Sequence, residues 1–241
     1  MPQRVPEFRF SDDALVLRQF LYEHWCAHGR GPTLGDVHTK TGFTRERTVT
    51  AYRELDLGGI VVLHQSTQNM SVLKIQPFSA FASQVAMWRD GAFFTYAGCA
   101  MESVAFSRMP PFKGQTFRME SYCPCCYAPV RVDFRDGEVL AASPASVLIH
   151  VSVPTWDWNK VDITEMCDGM NYVVDATHAA TYERKIGRRG ILLTVEQAKR
   201  FVKGTGDNRM VDYHWPPVSV NPEKIVLGLK ALGVDVSPWG Y

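Results

Sequence analysis

Three side chains in this sequence have the types and spacing for reactive sulfur chemistry: Cys99, Glu102 and, far along the chain, Cys167. Cys99 follows an aromatic run and Gly98 and opens a stretch of helical character. Its sulfur therefore sits near the unpaired N–H groups of a helix start, which favour a thiolate. Glu102 lies three residues on, and at that spacing a helix puts its carboxyl group on the same face as the thiol. A free thiol, with a pKa of about 8.5, is only a few per cent ionised at neutral pH. A carboxylate that takes its proton is useful, and the resulting acid can hand the proton back later. A second thiolate would make the pair a ligand set that selects soft metals.

The other cysteines are Cys26, Cys123, Cys125 and Cys126. The N-terminal Met1-Pro-Gln-Arg-Val-Pro6 has no signal-peptide apolar core, so metal binding, catalysis or plain burial are better readings of these thiols than disulfides. The Cys123-Pro-Cys-Cys126 turn could offer two or three sulfurs to zinc, but structural zinc takes four ligands and only one knuckle is present. Cys167 or His150 would have to complete such a site from elsewhere. Cys26 follows Trp25 on an apolar stripe and reads as core. His178 reads as a surface or capping residue, and Lys185 with Arg188 and Arg189 as a solvated charge cluster.

A net charge of +1 gives no global pull towards nucleic acid or an anionic membrane, and 46% hydrophobic residues suffice for a proper core. No apolar run approaches the roughly 18 residues of a membrane span. The expected location is the cytoplasm.

The elements that must position these side chains begin with three helices. Ser11 caps the first, with Ala14, Leu17, Leu21 and Trp25 at helical spacing, and Gly29-Arg-Gly-Pro32 ends it. Thr33 and Asp36 have capping-box spacing for a short second helix broken at Thr41-Gly42. Thr44 starts a third, carrying Val49, Tyr52 and Leu55, with Gly58-Gly59 at its end. Two β runs, 60–63 and 71–75, follow around a polar turn. That order predicts a winged-helix-like N-terminal domain over residues 1–76. DNA binding through the third helix is the less favoured reading, because Arg45, Arg47 and Arg53 alternate with Glu46 and Glu54 and no basic excess anchors phosphates. A packing or dimerising role is preferred.

Residues 75–81 read as a linker. Beyond it, runs 85–88 and 92–96 flank Arg89-Asp-Gly91 as a hairpin, and the second delivers Cys99, whose helix ends at Pro110-Pro111. Runs 115–121 and 130–134 alternate as half-buried strands around the cysteine turn, and 147–153 is a near-continuous apolar strand. Trp156-Asp-Trp158 is a lid on the core edge or a wall of an apolar pocket. Cys167 leads into a β-like run at 170–174. Asp175 caps a helix reaching Gly187, and Thr194 with Gln197 box another that closes at Gly204. Asn221-Pro222 starts a last helix before the tail Pro238-Trp-Gly-Tyr241. The expected class is α+β: the winged-helix-like part, then a mostly antiparallel-sheet catalytic domain with flanking helices over 77–204, then a C-terminal tail, 205–241, packed on it.

From about Thr33 to Gly204 this arrangement resembles the alkylmercury (organomercurial) lyase family. The matching pieces are Pro32-Thr-Leu-Gly-Asp36, Pro77-Phe-Ser79, Cys99-Ala-Met-Glu102, Cys123 before Ala128-Pro-Val130, Val151-Ser-Val-Pro-Thr-Trp156, Cys167-Asp-Gly-Met-Asn-Tyr-Val-Val174 leading to His178, and Leu193-Thr-Val-Glu-Gln-Ala198. Several separated matches in order outweigh any single one. The resemblance implies protonolysis of a carbon–mercury bond to a hydrocarbon and Hg(II), with no organic cofactor. Two cysteines take the metal and an acid handles the proton, roles that fall on Cys99, Cys167 and Glu102. The family generally has aspartate where Glu102 stands, and the extra methylene is expected to move the carboxyl group. The resemblance also implies a buried structural Cys123, with Cys125 and Cys126 incidental or relaying mercury, and a product that leaves to small thiols or a mercury-accepting protein. Two other readings are carried: a metal-responsive DNA-binding regulator that kept the two-cysteine pocket, and a homologue acting on a different organometal substrate.

Overall fold

The computed structural model describes residues 9–64, 71–158, 163–205, 210, 212 and 221–241. Local capping chemistry sets the first three helices. Helix α1 (Asp12–His28) starts where the Ser11 side chain accepts from the Ala14 amide, and ends at Gly29, whose φ of 69° is the left-handed conformation that glycine adopts freely. Helix α2 (Leu34–Thr41) has both hydrogen bonds of the Thr33–Asp36 capping box, and α3 (Arg45–Leu57) is capped by Thr44. Strands β1 (Val61–Leu63) and β2 (Val72–Ile75) then pair antiparallel. The polar turn expected between them lies outside the described residues.

The stretch expected to be a linker is instead structural. Phe78–Ser79 forms β3, which pairs with β2 on one side and with β5 (Ala92–Ala97) on the other. The reason is burial: Phe78 is wholly inaccessible, stacked on Trp25 at 5.7 Å and edge-on to Phe106 at 5.0 Å. Backbone this deeply placed must find hydrogen-bond partners, and the neighbouring strands supply them. One sheet therefore runs unbroken in the order β1-β2-β3-β5-β4-β6-β7-β8. Its remaining strands are β4 (Ala86–Arg89), β6 (Thr116–Tyr122), β7 (Pro129–Arg135) and β8 (Glu138–Ser143). The β4–β5 hairpin turns through Asp90 and Gly91 at φ 49° and 86°, as a two-residue connection requires.

A second sheet, in the order β10-β9-β11, is built on β9 (Leu148–Val151), with β10 (Met170–Val173) and β11 (Ile191–Thr194) both antiparallel to it. Residues from both sheets, among them Met119, Phe117, Ile149 and Tyr172, share one hydrophobic core. The protein is thus a mixture of helices and antiparallel sheet. Helices α6 (Ala176–Ile186), α7 (Val195–Thr205) and α8 (Pro222–Ala231) follow in the chain. At the C-terminal end the Trp239 indole donates to the Val151 carbonyl at 3.2 Å, and Tyr241 meets Trp156 at 5.0 Å between ring centres. Among the described residues, no helix is long and apolar enough to cross a membrane.

One further expectation is corrected. The helix opened by Cys99 does not reach Pro110: α4 is the single turn Ala100–Ser103, followed by 3-10 turns at Phe106–Arg108 and Pro110–Phe112. Phe106, Met109 and Phe112 are all buried, and a spacing of three puts them on one face only at three residues per turn. Cys167 leads into β10 from the short helix α5 (Ile163–Asp168), with Gly169 turning the chain between them.

Candidate active site

Strand β5 ends at Ala97, and two residues later Cys99, in extended conformation, caps α4. Its sulfur accepts a hydrogen bond from the Glu102 amide at 3.4 Å, the orphan-donor contact anticipated from the sequence. The side chain is 4% exposed. Glu102 is half-buried, and its carboxyl group folds back over Gly98. A β-carbon at position 98 would lie only 2.9 Å from the carboxyl carbon of Glu102. Glycine is what leaves room there, and the extra methylene of glutamate is taken up by this fold-back.

Cys167 reaches the same point from the other half of the chain, 2% exposed. One ligand atom each from Cys99, Glu102 and Cys167 all lie within 4.8 Å of one another. The Cys167 thiol is pushed well above its ordinary pKa, first by its hydrogen bond to Cys99, then by burial and by the Glu102 carboxylate, with the Lys74 charge opposing. In the resting site Cys167 holds its proton.

Several neighbours were not singled out from the sequence. The Met170 thioether lies 3.8 Å from the Cys99 sulfur. Tyr172, fully buried, shares a hydrogen bond with the Ser103 hydroxyl at 3.0 Å and reaches the Met119 sulfur at 3.3 Å. Lys74, on β2, is 2% exposed; its ammonium donates to the Gly98 carbonyl at 3.5 Å and lies 5.4 Å from the centre of the Phe81 ring. The one sequence signal for it was a lysine inside the apolar run Val72-Leu-Lys-Ile75. The aromatic loop is tied to the Cys167 segment, since the Ser152 hydroxyl donates to the Gly169 carbonyl at 3.2 Å and the Trp158 indole to the Val153 carbonyl at 2.8 Å.

The remaining candidates lie apart from this cluster. Cys123 is fully buried against Val173 and Ala179, Cys125 is half-buried and Cys126 exposed. Among the described residues, the cluster of Cys99, Glu102 and Cys167 is the one group of three or more Cys, His, Asp or Glu side chains close enough to hold a metal, so no zinc knuckle forms at the cysteine turn. His150 pairs with Glu183 at 3.1 Å instead. His178 closes onto its own cap, Asp175, at 2.9 Å, and Lys185 is not merely solvated, since it donates to the Cys125 carbonyl at 2.8 Å. Cys26 is buried, which pushes its thiol up to about 12 and leaves it unreactive at neutral pH.

The family model described as "MerB: Alkylmercury lyase" matches residues 80–205, just over half of the chain. No curated protein matches the sequence. Among solved structures, the chain is similar to the mercury-bound form of MerB2, with a TM-score of 0.64 and 16% identity over 86% of this chain and 93% of that one. At that identity the likeness establishes the fold.

Proposed function

This chain belongs to the alkylmercury lyase family, and we propose that Cys99, Glu102 and Cys167 perform its carbon–mercury cleavage. The protein is an organomercurial lyase: it breaks an R–Hg bond by protonolysis to R–H and Hg(II). The observation that supports this assignment of roles is the approach of the three ligand atoms to within 4.8 Å of one another.

The steps follow from the chemistry of the groups. R–Hg arrives bound to a small thiol and exchanges onto Cys99, whose proton leaves with the displaced thiol. Cys167 then passes its proton to the Glu102 carboxylate as its sulfur bonds to mercury. With two sulfurs on the metal, electron density shifts towards carbon. Glu102, now an acid, gives the proton to that carbon as the electrons of the breaking C–Hg bond take it up, R–H departs, and Hg(II) stays bridged between the thiolates. The protein needs no organic cofactor, because mercury enters as substrate and the proton comes from a side chain. Hg(II) leaves by exchange to small thiols or to a mercury-accepting protein. The reaction belongs in the cytoplasm, where such thiols are kept reduced.

In this reading residues 1–76 are a winged-helix-like module, 77–204 the catalytic domain and 205–241 a tail packed on it. The module's role is packing rather than DNA binding: Arg47 of α3 is engaged bidentately by Asp13, at 2.7 and 3.0 Å, and lies over the Phe43 ring. A Cys167→Ser variant tests the assignment. It should still capture R–Hg on Cys99 and release no hydrocarbon, and turnover near the wild-type rate would remove Cys167 from the mechanism.

A further inference from the structure

We propose that Lys74, contributed by the N-terminal helical module through β2, is the positioning residue that neutralises the negative charge carried by the two-cysteine site. The inference rests on the mechanism above and adds a residue that lies outside the 80–205 family match.

A buried ammonium needs a compensating anion, since taking an unpaired charge out of water is costly. Lys199, the other buried lysine among the described residues, has Glu138 and Glu196 at 2.9 and 2.8 Å. Among the described residues no carboxylate stands within ion-pair distance of Lys74; its contacts are the Gly98 carbonyl and the Phe81 ring face. Gly98 immediately precedes Cys99, and its α-carbon is where the Glu102 carboxyl group folds back. Lys74 therefore approaches the reactive cluster from the backbone side of Gly98, and the cluster is its counter-charge.

With Lys74 charged, the mechanism above keeps the site neutral at every stage. At rest, Lys74 as a cation, Glu102 as an anion and two neutral thiols give zero. With R–Hg bridged, two thiolates, R–Hg(+), protonated Glu102 and Lys74 again give zero. After cleavage, two thiolates, Hg(II), ionised Glu102 and Lys74 still give zero. Without the lysine each state carries one uncompensated negative charge. That charge sits at rest on Glu102, a residue that is half-buried although its Oε1 is itself buried, but on two sulfurs 4% and 2% exposed once mercury is bridged. Lys74 thus stabilises the bridged state more than the resting one, and its effect falls on cleavage rather than on capture.

The test compares Lys74→Met and Lys74→Gln with wild type in single turnover with phenylmercury and excess small thiol, following mercury bound and benzene released. Both variants should bind one mercury per chain and release benzene at least about tenfold more slowly, with melting temperatures no lower than wild type. Glutamine keeps a donor for the Gly98 carbonyl and lacks the charge. A wild-type rate in Lys74→Gln would overturn the proposal, leaving the lysine as a hydrogen-bonding strut, and this result decides the matter even if Lys74→Met does not fold. Absence of benzene from the wild type would instead overturn the parent mechanism.

Discussion

The carboxyl group of Glu102 is folded over the α-carbon of Gly98, a position that no other residue could occupy without pushing the acid away. The glutamate and the glycine before Cys99 act as a pair: the longer acid needs the missing β-carbon to return to the sulfurs. Gly98→Ala is therefore expected to displace the carboxyl group by an ångström or more and slow hydrocarbon release by about 100-fold, while stoichiometric mercury binding by the two cysteines persists. Single-turnover rates set against mercury stoichiometry check this, and an unchanged rate would mean that the acid does not work from this position.

Tyr172 is wholly buried, and its hydroxyl bonds that of Ser103 on the helix that Cys99 caps. In Tyr172→Phe the Ser103 hydroxyl keeps its hydrogen bond to the Ala100 carbonyl at 2.7 Å, so no donor is orphaned. The expected cost is about 1 kcal/mol of stability, read by denaturant unfolding, with mercury binding retained. A loss of more than about 3 kcal/mol would show that this hydroxyl supports a larger network.

His150 is wholly buried, and burial lowers its pKa, with the Glu183 partner opposing more weakly. The neutral ring is thus favoured in the fold, whereas the unfolded chain takes up a proton near the ordinary value of 6.5. Stability is full above that pH and falls as the pH drops through 6.5 towards the folded-state value. Melting curves between pH 7.5 and 5, over a range of about that width, should show a smaller decline in a His150→Gln variant than in wild type. Equal declines would assign the acid sensitivity to other groups.

What the sequence disclosed divides by range. Contacts within a few residues were readable: the Ser11, Thr33 and Thr44 caps, the Asp90-Gly91 turn, and Cys99 with Glu102 three positions on. The pairing of Cys99 with Cys167 spans 68 positions, and came from the resemblance rather than from any local pattern. Strand β3 escaped because two residues after a proline show no alternation, and only Trp25 packing on Phe78 makes them a strand. The 3-10 turns are hidden in the sequence because apolar residues three apart, Phe106, Met109 and Phe112, also suit the face of an α-helix. Lys74 and Gly98 gain their meaning from a tertiary approach between β2 and the residue before Cys99, which spacing along the chain does not express.

The most direct measurement of the central claim is one turnover of reduced protein with phenylmercury and excess small thiol, comparing wild type with Glu102→Gln. The account predicts benzene from the wild type and almost none from Glu102→Gln, although both bind one mercury per chain. Benzene from Glu102→Gln at the wild-type rate would contradict it, because the proton would then come from another group.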